Sequence, residues 1–279
     1  MSSNYTFDAE LDTVLQAASN EDLHPLVQFI KAASLSEKLT SNETFERFYP
    51  NHSRYCHVIS AEIRAFGGHT LVNLFRGGKG PDYHTVVVDV LKHMKIECSE
   101  DESINELERK LLSHVVKDLY ENLDEEQRQL IVSELKQYQE EQGKSENEET
   151  SSALVVRALE KGDLKELSPK AVLLLSSVFS TSVAKLMGVS VTISNALGGA
   201  LSQSVTKIQE VLTKSLDWLY GAISAIYELG GPSYKVTVPC VIHVAMLRIK
   251  QANFVLDYQK PLDPNSALEQ KPQAASSSK

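Results

Sequence analysis

Residues 171–188 read AVLLLSSVFSTSVAKLMG, and the apolar character runs on through TISNALGGALSQSVT at 192–206 and DWLYGAISAIYELGGP at 217–232. It closes on SYKVTVPCVIHVAMLRIK at 233–250. From 171 to 256 the only acidic residues are Glu210, Asp217 and Glu228, against Lys185, Lys207, Lys214, Lys235, Arg248 and Lys250, a net of +3. Residues 1–170 hold 31 acidic against 19 basic side chains, a net of −12. The chain therefore has an acidic half and an apolar, weakly basic half. Its longest uncharged run, Leu186–Thr206, spans 21 residues, formally enough for a bilayer. It is interrupted by Ser190, Thr192, Ser194, Asn195, Ser202, Gln203 and the Gly198-Gly199 pair, too polar for a simple transmembrane anchor. Small residues there suit close helix packing instead.

A 279-residue chain with 42% hydrophobic and 23% charged residues has ample material for a core. The overall charge of −9 argues against nucleic-acid binding, since nothing offsets phosphate repulsion. The first residues, MSSNYTFDAELD, are not a secretory signal. Three scattered cysteines, Cys56, Cys98 and Cys240, read as reduced thiols of a cytoplasmic protein. The localisation expected is cytoplasmic, with peripheral attachment to the inner membrane as the further option.

Moving outward along the chain, every strongly patterned segment is helical. Leu11, Val14, Leu15 and Ala18 share one helix face, and Asn20 stands where an N-cap for EDLHPLVQFIKA is expected. Asn42 caps ETFERF, and HSRYCHVISAEIRAF sets Tyr55, Ile59, Ile63 and Phe66 at helical spacing. Gly67 supplies a stop as a C′ residue of positive φ. Ser103 and Glu106 have capping-box spacing before the stripe Leu107, Leu111, Val115, Leu119, and Asp124 caps the next helix. VTVPCVIHV is ambiguous, being rich in β-branched residues; Thr237 is expected to cap a helix there, with Pro239 in its first turn. The fold class predicted is all-α. Four parts are expected: an acidic helical domain at 1–142, a linker at 143–152 (GKSENEETSS), an apolar helical bundle or hairpins at 153–256, and a disordered tail at 257–279.

Three stretches resemble the YaaW-like family of uncharacterised bacterial proteins: DAELDTVLQAASNEDLHPLVQFI at 8–30, AEIRAFGGHTLVNLFRGGKGPDYHTVVVDVL at 61–91, and GGPSYKVTVPCVIHVAMLR at 230–248. The central block is the most specific. The sequence departs from the family pattern at His69, where asparagine is more usual after the paired glycines. The family is remotely grouped with assembly chaperones of the ubiquinol–cytochrome c reductase complex, so the resemblance implies the fold first and an assembly role second.

Chemistry-bearing residues fall into three groups. In the glycine block, Phe66, Gly67 and Gly68 open a short segment that holds Asn73, Leu74, Phe75 and Arg76, and Gly77, Gly78 and Lys79 close it. Backbone N–H groups, Arg76 and Lys79 offer an anion site, or Leu74 and Phe75 a partner surface. Gly-Gly-Lys-Gly lacks the spacing and hydroxyl of a phosphate loop, and two helix stops explain it equally. His52 and Cys56 have the spacing of a metal pair, but two ligands do not make a site, and Cys56 and His57 point apart on a helix. The third group is a rim of Lys214, Trp218, Tyr227, Tyr234, Lys235 and Arg248, which suits a membrane interface or the edge of a bundle.

No catalytic residue, metal or cofactor is assigned. The function expected is a non-enzymatic interaction, scaffold or assembly-chaperone-like protein with an unknown protein partner. The alternatives are a membrane-inserting helical-hairpin protein and an enzyme or binding protein using the 66–81 block. The composition also sets where a protease should enter. Limited digestion should cut first between Gly143 and Ser152 or after Lys260, where apolar anchors are sparse or absent. An earliest cut inside 53–140 would contradict that division.

Overall fold

The computed structural model describes residues 5–32, 37–67, 80–121, 123–141, 159–161 and 234–258. The regular structure among these residues is helical throughout, so the protein is all-α there and no strand occurs. In order come α1 (Ala9–Ala17), α2 (Asn20–Ala32), α3 (Glu37–Thr40), α4 (Glu43–Phe48), a 3-10 turn (His52–Tyr55) and α5 (Cys56–Gly67). Then follow α6 (Tyr83–His93), α7 (Ile104–Glu121), α8 (Glu125–Glu141) and α9 (Tyr234–Tyr258).

Local sequence explains most of the helix starts. The Asn42 side chain accepts from the N–H groups of Thr44 and Phe45. Asp124 and Gln127 exchange side-chain-to-backbone bonds of 2.8 and 3.0 Å, satisfying two otherwise unpaired donors at the start of α8. Ser103 keeps half of its capping box, with Glu106 accepting from its N–H and its hydroxyl. At α2 the capping residue is Ser19 rather than Asn20. Ser19 Oγ accepts from Asp22 N–H while the Asp22 carboxylate accepts from Ser19 N–H. Asn20 is spent elsewhere, its side-chain oxygen accepting from His52 N–H across the fold.

The core is built around α9. Every residue from Val236 to Leu247 is buried, whichever way it points from the axis. A helix apolar on all sides is stable only when enclosed, and α1, α2, α5, α6 and α7 all pack against this one. Burial also resolves the ambiguity of VTVPCVIHV, since complete enclosure outweighs the strand preference of Val and Ile. The helix begins at Tyr234, so Thr237 is not its cap and Pro239 lies inside it. This segment thus shares a core with residues of 9–121. The boundary expected at 143–152 lies outside the described residues, as do 171–233 and the tail after 258.

Gly67 stops α5 for a different reason from the one expected. Its φ is outside the left-handed region, and it is the last helical residue rather than the one beyond. What it needs is space: a Cβ there would sit 2.4 Å from Cγ2 of Val86, a fully buried residue of α6. Gly80 is equally constrained, because its Cβ would meet the Arg64 carbonyl carbon at 2.4 Å. The glycine block therefore departs from and returns to the same end of α5. The packing account makes a sign-reversing prediction. Gly67→Ala should destabilise the chain by about 1–3 kcal/mol through overpacking. In a Val86→Ala background the same change should be neutral or stabilising, as helix propensity favours Ala over Gly by up to ~1 kcal/mol. Equal costs in both backgrounds, read by urea denaturation, would contradict it.

Candidate functional site

Of the glycine-block candidates, Phe66 and Gly67 are within the described residues. Phe66 is core, and Gly67 is pressed against α6. Gly68, Asn73, Leu74, Phe75, Arg76, Gly77, Gly78 and Lys79 lie outside the described residues, as do Lys214, Trp218 and Tyr227 of the rim. Tyr234 stacks on His93 at a centroid distance of 3.9 Å, Lys235 is exposed, and Arg248 is half-buried against α7.

The ends of the glycine block are held by a junction that sequence reading passed over. Asp8 Oδ1 caps α1 by accepting from Glu10 and Leu11 N–H, while its Oδ2 accepts from Tyr83 N–H at 2.7 Å. One buried carboxylate thus neutralises the positive ends of two helices, α1 and α6. Arg64 completes the junction. Its guanidinium lies 3.7 Å from Asp8 and donates to the carbonyls of Pro81 (2.6 Å) and Thr6 (2.8 Å). It thereby pins the segment that follows the glycine block to the N-terminal segment.

A second polar centre ties α9 to the first half of the chain. Arg248 donates to Glu108 through Nε at 2.7 Å and through a terminal nitrogen at 3.2 Å, and to the Glu10 carbonyl at 2.7 Å. The Tyr83 hydroxyl donates to the same carboxylate at 3.0 Å. Burial of Glu108 is the strongest influence and raises its carboxyl above the usual range, against the pull of Arg248 and Tyr83. Burial alone would lower Arg248, but the carboxylate outweighs it and holds the guanidinium above its ordinary value. Burial also pushes Tyr83 up, so its phenol remains a donor. The arrangement is a satisfied ion pair: three hydrogen bonds reach the two oxygens of buried Glu108.

The His52–Cys56 pair does not form a metal centre. The Gln28 amide donates to His24 Nε2 at 3.2 Å, which leaves Nδ1–H of His24 to donate to His52 Nε2 at 3.0 Å. His52 Nδ1 then pairs with the Tyr55 hydroxyl. Both nitrogens of each ring are occupied in one directional chain. Burial, then His24 and Lys31, lowers His52 to about 4, and burial followed by Lys31 lowers His24. The Cys56 thiol donates toward the carbonyls of Leu15 and Ser53, and burial pushes its pKa up, the opposite of an activated thiolate. Among the described residues no group of three His, Cys, Asp or Glu side chains comes together to hold a metal.

The fold and its polar centres define an all-α protein whose buried charged groups join helices far apart in sequence. No family model matches the chain, and no solved structure does. Among curated proteins it is 27% identical over 257 residues to the UPF0174 protein YaaW of Escherichia coli K12, covering 89% of this chain and 97% of that one. It is 25% identical over 255 residues to a UPF0174 protein of Helicobacter pylori strain J99, with 89% and 95% covered. The YaaW-like resemblance is thus supported along most of the chain.

Arg248 and Glu108 provide the clearest test of this centre. Arg248→Met should cost about 3–5 kcal/mol, because it strands a buried carboxylate. Adding Glu108→Gln should recover at least about 1 kcal/mol, since the neutral amide still accepts from Tyr83 and no charge is left buried. Strictly additive losses in urea denaturation would show that the two side chains are not coupled.

Proposed function

We propose that this chain is a non-enzymatic interaction protein of the scaffold or assembly-chaperone kind, working in the cytoplasm on a protein partner. One observation carries the reading. Among the described residues, Glu108 is committed to Arg248 and Tyr83, both nitrogens of His52 to neighbours, and Cys56 to carbonyls. Acid–base or nucleophilic chemistry needs such a group facing a cleft with a perturbed pKa matched to the task. His52, Cys56 and Glu108 are shifted by burial in directions that keep them neutral or paired. The remote grouping of YaaW-like proteins with assembly chaperones supports the same reading. So does composition: the stretch 171–233, part of the apolar helical bundle expected at 153–256, would supply the surface that meets the partner.

Attachment to a bilayer surface is a less favoured role. No helix of the described residues is long and apolar enough to cross a membrane. Arg248, one of the cations expected to face lipid, is engaged by Glu108.

The deciding experiment is affinity capture of the tagged full-length chain from its own cells after mild crosslinking, with vesicle flotation in parallel. The proposal expects one dominant protein partner at near-stoichiometric recovery and no flotation with anionic vesicles. Recovery of the chain alone, or flotation that is lost as salt screens the surface charge, would overturn it.

A further inference from the structure

Two of the ties that fasten α9 converge on one residue of α2. His243 Nε2–H donates to the Asp22 carbonyl at 2.7 Å, and Lys250 reaches both Asp22 carboxylate oxygens at 2.7 and 2.8 Å. His243 and Lys250 are two helical turns apart, so one face of α9 grips both the main chain and the side chain of Asp22. The imidazole is only 2% exposed, edge-on to the Phe29 ring. Among the described residues, the charged groups acting on it include the Asp22 carboxylate of α2 and Lys250 of its own helix. Lys250 already donates to both oxygens of that carboxylate, so a cationic His243 would have to compete with Lys250 for it.

The opposite side of α2 closes in the same manner. There the Gln28–His24–His52–Tyr55 chain joins α2 to the His52–Tyr55 turn, and each imidazole serves as donor and acceptor at once. A protonated imidazole only donates, so either proton breaks a link in that chain. Two protons would set like charges 3.0 Å apart, with Lys31 adding a third and only Glu21 opposing. Tyr49 meets the His52 ring edge-on, as does Tyr55, whose hydroxyl also pairs with His52 Nδ1.

We propose that α2 is an acid-sensitive clasp: neutral His24, His52 and His243 hold it to the His52–Tyr55 turn on one side and to α9 on the other, and protonation of these imidazoles releases α9.

The sign follows from linkage. Burial lowers His243 and His52 to about 4 in the folded chain, while an unfolded histidine titrates near 6.5. Below about 6.5 the released state binds protons that the docked state refuses, so docking weakens progressively down to about 4.

Cys240, fully buried on α9, reports the event in the intact chain. Labelling by 4,4′-dithiodipyridine, which reacts in acid, is followed from pH 7.5 to 4, with half-buried Cys98 as the internal reference. The Cys240 to Cys98 rate ratio should rise at least ~10-fold on acidification. In His243→Gln, whose amide still donates to the Asp22 carbonyl, the midpoint should move down by about half a pH unit or more. His24→Gln, on the other face of α2, carries the same expectation and decides the matter if circular dichroism at pH 7 shows that His243→Gln has not folded. A ratio that stays flat, or an unchanged midpoint in the folded variants, would overturn the clasp.

Discussion

A helix that is apolar on every side has to be surrounded, and that constraint organises the rest of this fold. From Val236 to Leu247 no face of α9 reaches water. Each Val, Ile or Leu so enclosed contributes on the order of 2 kcal/mol from area removed from water. Five helices drawn from residues 9–121 supply the enclosure. They present apolar stripes to it: Leu11, Val14 and Leu15 of α1, or Leu107 and Leu111 of α7, turn inward, and Asp12 and Glu108 are buried beside them. Each of these helices packs part of its stripe against the central one and part against its neighbours.

Enclosure of that kind is non-directional, and the polar groups supply what it lacks. Asp8 fixes where α1 and α6 begin relative to each other, because one carboxylate must reach both helix ends. Glu108 fixes the rotation and height of α9, because Arg248 and Tyr83 have to meet the same two oxygens. Buried charges contribute little net stability compared with apolar residues of the same shape, but leaving one unpaired is costly. Their effect here is to penalise every register of α9 except the one that pairs them.

Much of the local architecture was legible in the residues. Asn42, Asp124 and the Ser103–Glu106 pair act at the helix starts where their spacing placed them, and the helical stripes became the core. Tertiary decisions were less legible. Asp8 stands one residue before a helix, as many acids do, and its bond to Tyr83 spans 75 residues. Arg248 reads as one more cation beside an apolar helix until Glu108, 140 residues away, is found beside it. Gly67 has the look of a left-handed stop, whereas its requirement comes from Val86 on the next helix. Asn20 lost the capping role to its neighbour Ser19 because His52 N–H had a prior claim on its side chain. In each case the missing information was the identity of a distant partner, which one-dimensional spacing does not carry.

The central claim is that α9 and the helices of 9–121 are one cooperative unit. Native-state amide exchange of the full-length chain, read by mass spectrometry in increasing denaturant, tests it directly. Residues 236–247, 107–116 and 83–91 should open with a common free energy and a common denaturant dependence, because none is enclosed without the others. If 236–247 exchanges early and independently while 83–91 and 107–116 stay protected, the C-terminal helix is an accessory to the fold and the account is wrong.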